Sequence, residues 1–321
     1  MTVTLDVHHH HHHQQNNSPR KWMLTGINEE SRYLVEILTW KRKRDALMIY
    51  ATILVHLETD GDSTDRVQYA TGLAKEFEAH LIGFAASDVR PIVTTVGGVP
   101  IDGEILAQLR EENLKRREEL KQVFLSIAGD RQNTSWRQLE DRPTRALLIN
   151  ARAADLIVSG TPGGASAEDT DCSVDPGILV CAAGRPVLLV ADKVKFRRPQ
   201  NVVVGWKDTI QARRALSDAL PLLRMAANVL VVTINERNSQ EAESDLADVL
   251  QYLTRHGITA RSEVIKDDGK AVDQFVDVAM REKADLLVSG AYGHSRLREL
   301  VFGGFTQSLL NEDGFNRLMA S

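Results

Sequence analysis

Between Ser289 and Thr306 the chain carries its best candidate for chemistry. Gly290-Ala291-Tyr292-Gly293-His294-Ser295-Arg296 follows an apolar run, and Gly303-Gly304-Phe305-Thr306 opens another that holds Leu309 and Leu310. The first pair of glycines ends a strand pattern; the second pair precedes what reads as a helix. A helix N-terminus presents unpaired N–H groups and a partial positive charge, so it suits a phosphate. Glycine adds to this because no Cβ holds an anion away from the backbone. Gly290 and Gly293 then form one wall of a phosphate cradle, and Gly303 and Gly304 the other. Thr306 supplies a hydroxyl, and His294 or Arg296 offsets phosphate charge. Tyr292 lines the pocket or packs over the loop. The stretch has neither GxxxxGK[ST] nor GxGxxG, and glycines around a helix also serve as turn and cap residues.

The elements that must position this loop are announced by a repeat. Ala154-Asp155-Leu156-Ile157-Val158-Ser159-Gly160 recurs as Ala284-Asp285-Leu286-Leu287-Val288-Ser289-Gly290, identical in six of seven places. Internal repeats fix architecture, so the rest is read against them. Thr52 to Leu57 and Val202 to Trp206 are β-branched runs that read as buried strands. Each precedes an apolar stripe with helical spacing: Val67, Ala70, Leu73, Ala74 and Phe77, then Ala212, Ala215, Leu216, Ala219 and Leu223. The first copy continues with a strand over 81–85, a helix over 104–128, a strand over 136–139, a helix over 144–153, and strands over 155–160 and 187–190. The second continues with a strand over 229–234, a helix over 241–256, a strand over 260–265, a helix over 270–283, and strands over 285–290 and 315–319. Alternation of strand and helix implies α/β architecture: two tandem doubly wound parallel-sheet domains, each five-stranded and Rossmann-like. Ligands in such sheets sit at the carboxyl ends of the strands, where the glycine loop lies. Asn316 and Arg317 interrupt the last run, which predicts a short strand near an edge.

The spacing predicts the boundaries as well. Residues 1–47 read as a leader, His8 to His13 being a purification tag excluded from metal reasoning, with one amphipathic helix at most. The first domain spans 48–192, a linker 193–200, and the second domain 201–321. The two first strands lie 150 residues apart, but the repeated motifs lie 130 apart. The surplus in the first copy is assigned to a loop over 88–103. Its own glycine loop, Gly160-Thr161-Pro162-Gly163, runs into an acidic stretch with Glu168, Asp169, Asp171 and Asp175, which repels a triphosphate. That copy is therefore read as having lost the site.

Net charge of −5 argues against a nucleic-acid partner. No apolar run approaches the ~20 residues that span a bilayer. The only cysteines, Cys172 and Cys181, provide no disulfide framework, which fits a cytoplasmic location.

The stretch from Gly290 resembles the signature of the universal stress protein family, Gly-x2-Gly-x9-Gly-Ser/Thr. Gly290, Gly293 and Gly303 fall on its three glycines, and Gly304 stands where the family has Ser or Thr. The resemblance covers both copies and extends to tandem chains. It implies a pair of domains of the adenine nucleotide alpha hydrolase-like type, joined about a pseudo-twofold through their last strands. It also implies a stress-response regulator that binds ATP, accompanied by Mg2+, in one subclass. An Asp after the first strand contacts the nucleoside there; Lys207 occupies that place here, with Gly205 before it and Asp208 after it. Thr233 matches the second-strand residue that contacts adenine through its backbone, and Ser289 and Phe305 flank the glycines. No general base, paired Mg2+ ligands or nucleophile is set at the loop, so catalysis is not expected; Asp208 is the one candidate for slow ATP hydrolysis. The competing reading is a scaffold without nucleotide, engaging a protein partner or another copy of itself.

Overall fold

Buried β-branched strands in both halves build one sheet. The computed structural model describes residues 29–47, 49–89, 103–129, 132–160, 173–235, 239–291 and 315–321. Helix α1, Glu29–Leu47, belongs as far as Ala46 to a unit of its own, and the chain from Leu47 onward is a second compact unit. That second unit contains β1 (Thr52–His56), α2 (Thr64–Phe77), β2 (His80–Ser87), α3 (Gly103–Ala128), β3 (Thr134–Glu140), α4 (Pro143–Asn150), β4 (Leu156–Gly160), α5 (Pro176–Ala182) and β5 (Val187–Val190). The second half supplies β6 (Asn201–Gly205), α6 (Ile210–Met225), β7 (Asn228–Asn235), α7 (Ser239–Arg255), β8 (Arg261–Lys266), α8 (Ala271–Arg281), β9 (Leu286–Gly290) and β10 (Asn316–Ala320).

The ten strands run in the order β3-β2-β1-β4-β5-β10-β9-β6-β7-β8. Read inward from either end, each half repeats the order third, second, first, fourth, fifth. Neighbours are parallel everywhere except at the centre, where β5 and β10 pair antiparallel with Leu188 opposite Leu318. One antiparallel pair between two parallel halves is the arrangement a pseudo-twofold requires.

Side chains alternate across the sheet with period two, so both faces are buried. On one face Val55, Val158 and Leu188 of the first half share one continuous core with Leu318, Val288 and Val204 of the second, under α2, α3, α6 and α7. On the other face there are two clusters, one around Phe84 and Ile157 beneath α4 and α5 that also takes in Met319 and Ala291 of the second half, and one around Val203 and Phe275 beside α8. The halves are locked further by the Tyr50 hydroxyl, which donates to the Asp218 carbonyl at 2.6 Å. The segment between β5 and β6 returns Phe196 edge-on to Tyr69.

The repeated motif carries its Asp for a structural reason. The Asp155 carboxylate accepts from the N–H groups of Ala51 and Thr52, both at 2.9 Å. Asp285 does the same for Gln200 and Asn201. Each carboxylate thus satisfies the backbone where its copy's first strand begins. Asp155→Ala and Asp285→Ala each leave two donors without their acceptor and are expected to cost about 2 kcal/mol. Urea unfolding of the single variants checks this.

Three expectations need correction. β10 is not an edge strand: it pairs with β9 and β5, and all five of its residues are buried. Its polar residues are absorbed, since the Asn316 side-chain carbonyl accepts from Ala191 N–H at 3.0 Å. Arg317 is buried outright; burial lowers its pKa only to about 10, so it stays charged at neutral pH. The true edges are the partly exposed β3 and β8. Second, the sequence reading placed no helix before β5, yet α5 stands there; Asp175 is its N-cap, accepting from Gly177 N and Ile178 N, with Pro176 in the first turn. Third, part of the first copy's surplus lies in a longer helix, because α3 has 26 residues and α7 has 17.

Candidate functional site

The described part of the predicted site lies where β6, β7 and β9 end and α6 begins. Buried Gly205 closes β6 next to buried Ser289 of β9; a Cβ on Gly205 would stand 3.8 Å from that of Ser289 and 3.2 Å from the Phe275 ring. Trp206 N–H continues the ladder to the Val232 carbonyl, and the Thr233 hydroxyl donates to the Trp206 carbonyl at 3.0 Å. The chain then turns through exposed Lys207 and Asp208. Thr209 caps α6 by accepting from Ala212 N–H at 3.1 Å. Gly290 ends β9 directly against this helix start: a Cβ there would come within 2.6 Å of Ala212 N and of the Gln211 carbonyl carbon. The structure therefore brings Gly205, Thr233, Ser289 and Gly290 together beside a helix N-terminus. Asp208 is engaged elsewhere, 2.8 Å from Arg213, and both side chains are half exposed, so their pairing adds little stability. Tyr292, Gly293, His294, Gly303, Gly304, Phe305 and Thr306 lie outside the described residues.

The first copy fills the matching place with its own side chains. His56 stands where the second copy has Gly205, and its ring is wholly buried beside Phe84. Neither ring nitrogen has a hydrogen-bond partner among the described residues. Burial, followed by the charge of Arg66, lowers its pKa from 6.5 to about 3. Arg66, in the first turn of α2, donates to the His56 carbonyl at 2.8 Å and reaches the Glu58 carboxylate at 3.3 Å. Its guanidinium lies over Gly160, where any Cβ would overlap it. The apolar stripes of α2 and α6 align Arg66 with Gln211, so the second copy has no cation at this point. Sequence reasoning attributed the difference between the copies to the acidic stretch, most of which lies outside the described residues. It missed Arg66 and Glu58, although aligning the two stripes marks the Arg–Gln exchange.

Among the described residues no group of three or more His, Cys, Asp or Glu side chains is arranged to hold a metal ion, and no helix is long and apolar enough to cross a membrane. Cys181 is free and exposed; Cys172 lies outside the described residues.

Residues 199–312 match the model of the universal stress protein family. A universal stress protein of Methanocaldococcus jannaschii is 29% identical over 124 residues, covering 37% of this chain and 69% of that protein. The crystal structure of a universal stress protein from Archaeoglobus fulgidus superposes with a TM-score of 0.59 at 13% identity, covering 84% of this chain and 96% of the other. At that identity the superposition speaks for the fold alone, and it spans both halves. The second half of the chain thus matches the universal stress protein family, and both halves together share the fold of a universal stress protein.

Proposed function

We propose that the second copy binds an adenine nucleotide, ATP being the leading candidate, at the carboxyl ends of β6, β7 and β9, and that the protein acts in stress response by changing its contacts when loaded. The observation that carries this reading is the contrast between the copies. Where the first copy has a buried His56 ring and the Arg66 guanidinium, the second has Gly205 and Gln211 beside a capped sixteen-residue helix. A strand end of small residues, with no cation of its own, beside helix N–H groups is what suits an anionic ligand. Thr233 stands at the end of the neighbouring strand with its hydroxyl turned onto the Trp206 carbonyl. Binding without robust turnover is the proposed mode, with any Mg2+ arriving on the nucleotide.

Calorimetry on the full chain tests this. One equivalent of ATP per chain is expected, lost in Gly293→Glu and unaffected by Gly163→Glu in the first copy. The whole chain is used because β10 is half of the central strand pair. Two equivalents would overturn the assignment to one copy. No binding at all would leave the scaffold reading, and Mg2+-dependent turnover abolished by Asp208→Ala would make the protein an enzyme.

A further inference from the structure

The connection from β5 to β6 concentrates positive charge. Residues 192–200 hold Lys193, Lys195, Arg197 and Arg198 against one carboxylate, Asp192, in a chain whose net charge is −5. After a turn at Asp192 and Lys193 the segment runs on without helix, turn or bend from Val194 to Gln200. Its side chains sort by alternation. Val194 and Phe196 pack against the shared core, whereas Lys193, Lys195 and Arg197 are exposed. The segment is also anchored. The Phe196 ring stands edge-on to Tyr69 with centroids 5.2 Å apart, and it lies so close to Gly72 that a Cβ there would come within 2.2 Å of the ring. Arg198 pairs with Glu76 at 3.5 Å, and Pro199 is buried.

A second, independent observation concerns the main chain. Among the described residues, the N–H and C=O groups of five consecutive residues, Lys193 to Arg197, make no hydrogen bond within the protein. Buried backbone groups are almost always paired, so these face solvent. An anchored, extended segment with unpaired donors and acceptors is a template for another strand. Nor do the Lys193, Lys195 and Arg197 side chains have a carboxylate within ion-pair distance among the described residues. Cations on an open edge turn away neutral and basic strands. An acidic strand is the one they admit.

We infer that residues 194–198 bind an extended acidic peptide of a partner protein by strand addition. Main-chain hydrogen bonds hold the peptide, and charge selects it. Side chains directly opposite each other in paired strands are about 5 Å apart, so carboxylates at alternate positions of the peptide meet Lys195 and Arg197. Alternate residues lie about 6.6 Å apart along both strands, which keeps the charges in step. Pro199 has no N–H and ends the pairing. No residue of this segment belongs to those assigned to the nucleotide, so each reading can fail without the other.

A fluorescein-labelled peptide of alternating glutamate and threonine, followed by anisotropy against the full chain at low ionic strength, is the test. Saturable binding of one peptide per chain is expected. It should weaken at least tenfold in the double variant Lys195→Glu with Arg197→Glu; both side chains are exposed, so the melting temperature should stay near that of the parent. The same peptide N-methylated at every residue keeps its carboxylates but has no amide donors, and it should also bind at least tenfold more weakly. No saturable binding by the parent chain, equal affinity in the double variant, or equal affinity for the N-methylated peptide would each overturn the inference. A dimer of the parent that dissociates in the double variant would overturn it too, because a second copy would then be the occupant.

Discussion

His56→Leu should make the protein more resistant to acid, and the gain should widen as the pH falls from 6.5. The ring is wholly buried and its pKa is lowered to about 3, first by burial and then by the neighbouring Arg66. In the unfolded chain the same group titrates near 6.5. Between those values the unfolded state binds a proton that the native state refuses, so protonation draws the equilibrium toward unfolding. The slope is about 1.4 kcal/mol per pH unit over that window, and the full effect is on the order of 5 kcal/mol. Above pH 6.5 the proton-linked term vanishes. Leucine is close in size and removes two ring nitrogens that have no partner among the described residues, so a smaller gain of about 1 kcal/mol is expected even at neutral pH. Urea midpoints of the parent and variant, measured at pH 7, 5.5 and 4.5, decide the matter. A constant difference across the three would show that His56 is not the group that resists protonation.

The architecture was legible because it rests on local patterns. β1, β4, β6 and β9 are short apolar runs with duplicated flanks, and the stripes on α2 and α6 recur with the spacing a packed helix needs. Duplication also implied that both halves share one doubly wound architecture. What escaped depended on partners distant in sequence. Asn316 and Arg317 look like edge residues, and only β5, more than a hundred residues earlier, turns β10 into a central strand. Asp175 looked like one more acidic loop residue because its function is to cap a helix of only seven residues, too short for a periodic signal. The candidate site divided in the same way. Gly205, Ser289 and Gly290 were placed by the strands that end at them. The reason the first copy differs lies in Arg66, one turn into a helix whose charge is read as solvated until the fold lays it over Gly160.

Gly290→Ala should destabilise the protein by about 3 kcal/mol, at the upper end for overpacking by one methyl. The new Cβ meets the backbone of α6, 2.6 Å from Ala212 N and from the Gln211 carbonyl carbon. That helix cannot withdraw, because Ala212, Ala215 and Leu216 are buried in the core shared by both halves and Thr209 fixes its start. Gly160→Ala in the first copy makes a useful contrast. Its Cβ would overlap the Arg66 guanidinium, the far end of a long side chain, rather than backbone. The Arg66 contacts to His56 and Glu58 would be lost, but the helix could stay. A double-mutant cycle separates the two cases. In an Arg66→Ala background the additional cost of Gly160→Ala should fall by at least about 1 kcal/mol, whereas Gln211→Ala should relieve Gly290→Ala little, since the colliding atoms are main chain. If Gly290→Ala melts with the parent, the close approach of β9 to α6 is wrong. The nucleotide would then have to be placed without a helix N-terminus beside the last glycine of the strand.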